Sequence, residues 1–369
     1  VNLSGSTVKT LDVNTLGGAD TVTVTSVTSY HQSKNKFELG TDKQTDVDTL
    51  TINGGLICGA VDVNTGAGDD VVTVQKGSAA TSAKLLDTLD IFTSKGNDKV
   101  FLRNSTEIGS PDDPQFNKRA RGQLNVNMGD GADEFDANTI STLNAKGNNT
   151  VDMGTDAGAD KVTLGLLTIK GLLAVDLSDG ANTLVGGGVT AEKGLLLFGG
   201  KDADNVTLGL VATPSFVVSL GGGNNTFLSA QVAGLNGGRA NVGLYFGAGQ
   251  DSVTLSDYLT ENFTVGLDGR NTAPGSALQN TLIAQNINSS KLGTLNGSSA
   301  VDIVSCTDST FKDLTIGLGA ADDLLAVNAA VAIGGTLTID FGAGTDGFTP
   351  NGFTQPVGAV IKNGPELLL

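Results

Sequence analysis

The feature that most constrains this chain is a turn that keeps coming back. A Gly-x-Gly-x-Asp pattern, or a near variant, recurs around Asp20 (LGGADTVTV), Asp70 (TGAGDDVVTV), Asp98 (SKGNDKVFL), Asp133 (GDGADEFDA) and Asp160 (DAGADKVTL). It continues at Asn182, Asp204, Asn225 and Asp251, has weaker copies at Asp48, Asn280 and Asp302, and returns clearly at Asp323 and Asp346. With the Asp or Asn as position zero, apolar residues follow at plus two and plus four: Val22 and Val24, Val72 and Val74, Val206 and Leu208, Val253 and Leu255. Before the turn they fall at minus nine, minus seven and minus five, as in Phe216, Val218 and Leu220, or Leu337, Ile339 and Phe341. Period-two alternation on both sides of a glycine corner is the mark of strands with one buried face. Held in one register along the whole chain, it predicts stacked coils, each burying its apolar face against the next.

From Asp160 onward the turns settle at a spacing near 22 residues, with excursions to about 26 and 29. The expected fold is therefore all-β, a parallel β-helix (β-solenoid) of roughly 14 coils of about 22 residues, on the order of 65 Å long at the usual strand spacing. Residues 1–346 are expected to form one solenoid, with loop insertions near 25–45, 103–123 and 268–276. Residues 347–369, with Pro350, Pro356, Pro365 and a run of leucines, are expected to be a C-terminal cap or assembly segment.

Stacked corners raise an electrostatic question. Gly serves where the backbone needs positive φ or passes close to the next coil, and Asp and Asn tolerate left-handed conformations and bond nearby N–H groups. A column of ionised Asp about 5 Å apart repels itself by roughly 1 kcal/mol per pair even in water. Either each carboxylate caps its own turn, with Asn182, Asn225 and Asn280 relieving the column, or Ca²⁺ bridges successive corners through hard oxygen ligands. The pairs Asp69 with Asp70 and Asp322 with Asp323 are the best candidate ligands, followed by Asp20, Asp251 and Asp346. The motif resembles the glycine- and aspartate-rich repeat of hemolysin-type calcium-binding proteins, although the tandem nine-residue copies of that family are missing here.

Other residues carry weaker signals. Cys306 occupies the plus-four slot after Asp302, and Cys58 lies about ten coils away. At that separation, on the order of 45–50 Å, a disulfide is out of reach and free buried thiols are expected. His31, the 1 histidine, sits in the polar stretch TSYHQSKNK and supports no Ser–His–Asp constellation. The segment RNSTEIGSPDDPQFNKRARGQ breaks the repeat and holds the basic cluster Lys118, Arg119 and Arg121, a candidate binding loop or a plain surface excursion.

The net charge of -17 argues against nucleic-acid binding, which needs clustered Lys and Arg. No apolar run reaches membrane-spanning length, and the start at Val1 fits a product from which a targeting segment has been removed. Sugar hydrolases need paired carboxylates in a groove with aromatic platforms, and lyases need a base beside carboxylate-bound Ca²⁺. With 0 Trp, 3 Tyr and its acids spread evenly over the repeat, the chain is not expected to be an enzyme.

The phrases VDVNTGAGDDVVTV, YFGAGQDSVTLS and IDFGAGTDGF resemble the repeats of large secreted and cell-surface β-helix proteins of bacteria: adhesins, autotransporter-type passengers, and surface-layer or filament components. The resemblance implies an extracellular or cell-surface location, with adhesion or assembly as the activity. The expected function is a non-enzymatic structural subunit of a self-assembling surface filament or layer, with copies of itself as partner and no cofactor required beyond possible Ca²⁺. A monomeric adhesin or stalk segment binding a surface or glycan, and a Ca-dependent polysaccharide lyase, are the alternatives.

Overall fold

The computed structural model describes residues 1–30, 34–40, 46–76, 83–85, 87–103, 107–109, 122–138, 145–267 and 279–368. The chain divides into two compact units, Val1–Leu196 and Leu197–Leu369. Each is a parallel β-solenoid, and together they hold about 14 turns. Among the described residues there is one short 3-10 turn, Leu235–Gly237, and no helix long and apolar enough to cross a membrane.

The plus-two slot forms the spine of each unit. In the first, Val22, Leu50, Val72, Val100, Phe135, Val162 and Leu184 stand in parallel register, coil upon coil. In the second, Val206, Phe227, Val253, Leu282, Val304, Leu325 and Phe348 do the same. All of these side chains are buried. The minus-nine, minus-seven and minus-five slots are also buried, as Phe216, Val218 and Leu220 show. β-branched and aromatic residues dominate because each strand presents one face to the core and packs against like residues above and below.

A coil contains one more strand segment than the two-strand pattern suggests. In the strand Thr21–Ser29 the alternation breaks between Val24 and Val27, and the inward set moves from even to odd positions. In four coils the residue at plus six makes the change by adopting left-handed φ: Ser26 at 51°, Asp257 at 58°, Asn286 at 52° and Asp308 at 51°. Two consecutive outward residues then bend the strand onto a new face, and Ser, Asp and Asn bear that conformation better than bulkier residues. The plus-seven residues Val27, Tyr258 and Ile287 are buried as a result.

At the corners, glycine answers a close approach. A methyl group at Gly96 would run into the carbonyl oxygen of Gly68, and one at Gly131 into that of Gly96, one coil earlier in each case. Both glycines also hold positive φ, 139° and 148°.

The ranges expected to be loop insertions are described only in part. Between 25 and 45 lie the end of Thr21–Ser29 and a further strand, Asn35–Glu38, with Phe37 and Leu39 buried. Within 103–123, Glu107–Ile108 pairs with Lys84 and Leu85. The excursion at 268–276, His31, and the basic cluster Lys118, Arg119 and Arg121 lie outside the described residues. In 347–369, the short strands Gly347–Thr349, Val360–Lys362 and Leu367–Leu368 extend the parallel ladder. Cys58 and Cys306 are both free and buried.

Candidate functional site

The recurrent aspartate is an interior residue. Position zero has the same parity as plus two and plus four, and the strand carries it inward: Asp70, Asp98 and Asp302 are 0% exposed and Asp133, Asp160, Asp251 and Asp323 are 2% exposed. A buried carboxyl group needs partners, and the neighbouring coil supplies them. In the first unit the Asp20 N–H donates to Asp48 Oδ1 at 2.7 Å, Asp48 to Asp70 at 2.7 Å, and Asp70 to Asp98 at 2.8 Å. The series continues from Asp98 to Asp133 at 2.7 Å, Asp133 to Asp160 at 2.8 Å, and Asp160 to Asn182 Oδ1 at 2.8 Å.

The second unit repeats the device. Asp204 donates to Asn225 at 2.9 Å, Asn225 to Asp251 at 3.0 Å, and Asp251 to Asn280 at 2.9 Å. Asp302 donates to Asp323 at 2.8 Å, Asp323 to Asp346 at 2.9 Å, and Asp346 to Glu366 Oε2 at 2.8 Å. The carboxylate thus caps the corner of the coil before it. The expectation that each would cap its own turn is corrected, because inward-pointing Oδ1 faces the N–H of the equivalent residue one coil away.

Position minus one forms a second, exposed column running the other way. Asp69 Oδ1 accepts the Asn97 N–H at 2.8 Å, and Asn97 Oδ1 accepts the Ala132 N–H at 2.9 Å. Asp322 Oδ1 likewise accepts the Thr345 N–H at 2.7 Å. The candidate ligands Asp69 with Asp70 and Asp322 with Asp323 are therefore divided between an outer and an inner column, and Asp20, Asp251 and Asp346 belong to the inner ones. Among the described residues no group of three or more His, Cys, Asp or Glu side chains comes together as a metal-binding set.

Burial governs the protonation of the inner columns. Loss of solvent pushes Asp133 and Asp323 up to about 8, Asp98 to about 7, and Asp48, Asp160, Asp251 and Asp302 to about 6. Backbone N–H donation opposes the shift without cancelling it, and neighbouring carboxylates add to it. Asp70 and Asp346 move the same way, again through burial. The same cause raises the Cys306 thiol to about 12.

Further interior polar residues escaped the sequence pattern. Asn35 Oδ1 accepts the Leu11 N–H at 2.9 Å while its amide donates to the Cys58 carbonyl at 2.9 Å. Asn149 does the same between Leu124 and Leu172. Each lies at the start of a strand, where an available signal was an Asn at an inward position. The chain matches no family model, no curated protein and no solved structure.

Proposed function

We propose that the chain is a non-enzymatic extracellular structural protein, a rigid β-solenoid subunit of a self-assembling surface filament or layer. The observation that carries this reading is the use made of the acids. Coil after coil, corner carboxylates are committed to backbone N–H groups of neighbouring corners. A hydrolase or lyase instead needs carboxylates gathered at one place and able to exchange protons with a substrate. Parallel stacking also sets outward side chains in rows of regular spacing, the kind of surface that a repeated contact between copies can use. Negative-stain imaging and light scattering test the proposal: ordered assemblies support it, and a strictly monomeric particle under native ionic conditions overturns it. Calcium is not required on this reading, and EGTA is expected to leave the melting temperature unchanged.

A stalk or adhesin that binds a cell-surface glycan is the second reading. It is favoured by Tyr245, 48% exposed, whose ring stands over the space that side chains at Gly243 and Gly266 would fill. Thr264 pairs with Gly243 on the same outward face. An exposed aromatic face beside hydroxyl groups suits sugar stacking. Glycan-array binding abolished by Tyr245→Ala would favour this reading over assembly.

A further inference from the structure

The inner column of the first unit leaves one kind of atom without a donor. Oδ2 of Asp133 and Oδ2 of Asp160 are sealed from solvent and receive no hydrogen bond. What belongs around such an atom is shown by Asn182, which holds the next slot in the column. Its Oδ1 accepts the Asp160 N–H, as a carboxylate oxygen does elsewhere. Its Nδ2, in the place of Oδ2, donates to the carbonyls of its own corner: Leu177 at 2.8 Å, Gly180 at 3.1 Å and Asp179 at 3.2 Å. Asn225 in the second unit repeats the arrangement, with Nδ2 donating to the Gly222 carbonyl at 3.1 Å.

At Asn182 and Asn225 the slot thus has one polarity: a donor meets the first side-chain atom, and acceptors meet the second. An amide satisfies both halves. An ionised carboxylate satisfies the first and sets a negative oxygen against carbonyl oxygens, away from water. A neutral carboxylic acid satisfies both, because its O–H takes the role of the amide N–H.

We propose that the folded protein holds Asp133 as a neutral carboxylic acid through neutral pH and Asp160 as one in mildly acidic solution, each Oδ2–H donating to its own corner carbonyls as the Asn182 amide does, so that this stretch of solenoid tightens in acid and loosens as the pH rises. The charged groups around them agree. Asp133 faces Asp98 and Asp160 in its column and Asp156 from the adjoining corner, and Asp160 faces Asp133 and Asp156. All are acidic. The nearby cations are engaged at the surface, Lys95 with Asp130 and Lys161 with Glu134. Asp302 is the contrasting case: its Oδ2 accepts the Ser298 N–H at 2.6 Å and its Oδ1 the Asn280 amide at 2.9 Å, so donors serve both oxygens.

The sign of the pH effect follows from linkage. Burial raises the folded values to about 6 for Asp160 and about 8 for Asp133, above the ordinary carboxylate value near 4. Across that window the folded state binds more protons than the unfolded chain, so stability falls as pH rises. The contribution is complete below about pH 4, drains through Asp160 first and is lost with Asp133 last.

Thermal melts of the full chain from pH 5 to pH 9 test this, using the wild type, Asp133→Asn, Asp160→Asn and the double variant. The wild-type Tm is expected to fall across the range. The Asn variants keep the donor without a titrating proton, so they should melt higher than wild type at pH 9, by about 3 °C per group, with a shallower fall. Variants that melt lower at pH 9 with an unchanged slope overturn the proposal. If one Asn variant fails to fold, the infrared spectrum of the other decides: Asp98 and Asp323 are raised too, so a protonated carboxylic C=O band at pH 5.5 weaker than that of the wild type supports the proposal, and a band unchanged by the substitution sinks it. A Tm raised by CaCl₂ with loss of that band places a cation beside Oδ2 and overturns it as well.

Discussion

At the scale of the residue, the corner aspartate and asparagine are two answers to one demand. Both offer an oxygen to the N–H of the preceding coil, and they differ in the second side-chain atom. Asn182→Asp is accordingly expected to fold in acid and to lose roughly 1–3 kcal/mol above neutral pH, when an ionised oxygen meets the corner carbonyls. Urea unfolding midpoints at two pH values measure this, and equal losses at both would contradict it. Gly131 carries a different constraint, since a methyl there meets the Gly96 carbonyl at a backbone φ of 148°. Gly131→Ala should cost about 1–3 kcal/mol in the same assay. The Cys306 thiol, fully buried and raised to about 12, should react with a thiol reagent only once the protein is denatured.

At the scale of the element, two features hold a coil to its neighbours. The first is the interior stack. Phe227 packs between Phe216 and Phe246, at ring-centroid distances of 6.4 and 5.7 Å, and is 0% exposed. Phe227→Ala removes a ring shared by adjacent coils and should cost about 3–5 kcal/mol in the urea midpoint. The second, in the coils that carry it, is a left-handed residue at plus six, which turns one strand segment onto the next face. Asn286 holds φ 52° there, so Asn286→Val should cost about 1–2 kcal/mol, while Asn286→Gly should be nearly neutral. Equal effects of Val and Gly would show that the bend does not depend on that conformation.

At the scale of the whole molecule, the two proposals together make acidity govern both stability and association. The chain carries a net charge of -17 and a pI near 4.3, so copies repel one another at neutral pH. Lowering the pH toward 4.3 removes that repulsion and, by the proposal above, strengthens the corners of the first unit. Light scattering is expected to report larger assemblies at pH 5 than at pH 8, and added salt should narrow the difference by screening. Scattering that is independent of pH would count against assembly through the acidic surface.

The repeat makes the parallel solenoid legible in the sequence, because period-two apolar slots in constant register admit few other folds. The inward slots at plus two, plus four, minus nine, minus seven and minus five stand where the sequence puts them, as Val22, Val24, Phe216, Val218 and Leu220 show. The burial of the aspartates was implied by the same parity, yet Asp at a glycine corner also fits an exposed turn, and residue type alone does not choose. The third strand segment was hidden because a single left-handed residue such as Ser26 shifts the alternation by one, which a fixed register does not follow. Which oxygen meets a donor and which meets carbonyls was beyond the sequence, since it depends on the neighbouring coil, 22 residues away between Asp160 and Asn182. Sequence determined where the chain turns and which face is buried. Tertiary structure alone decided what the buried carboxyl groups touch, because their partners are backbone atoms that come near only when the coils stack.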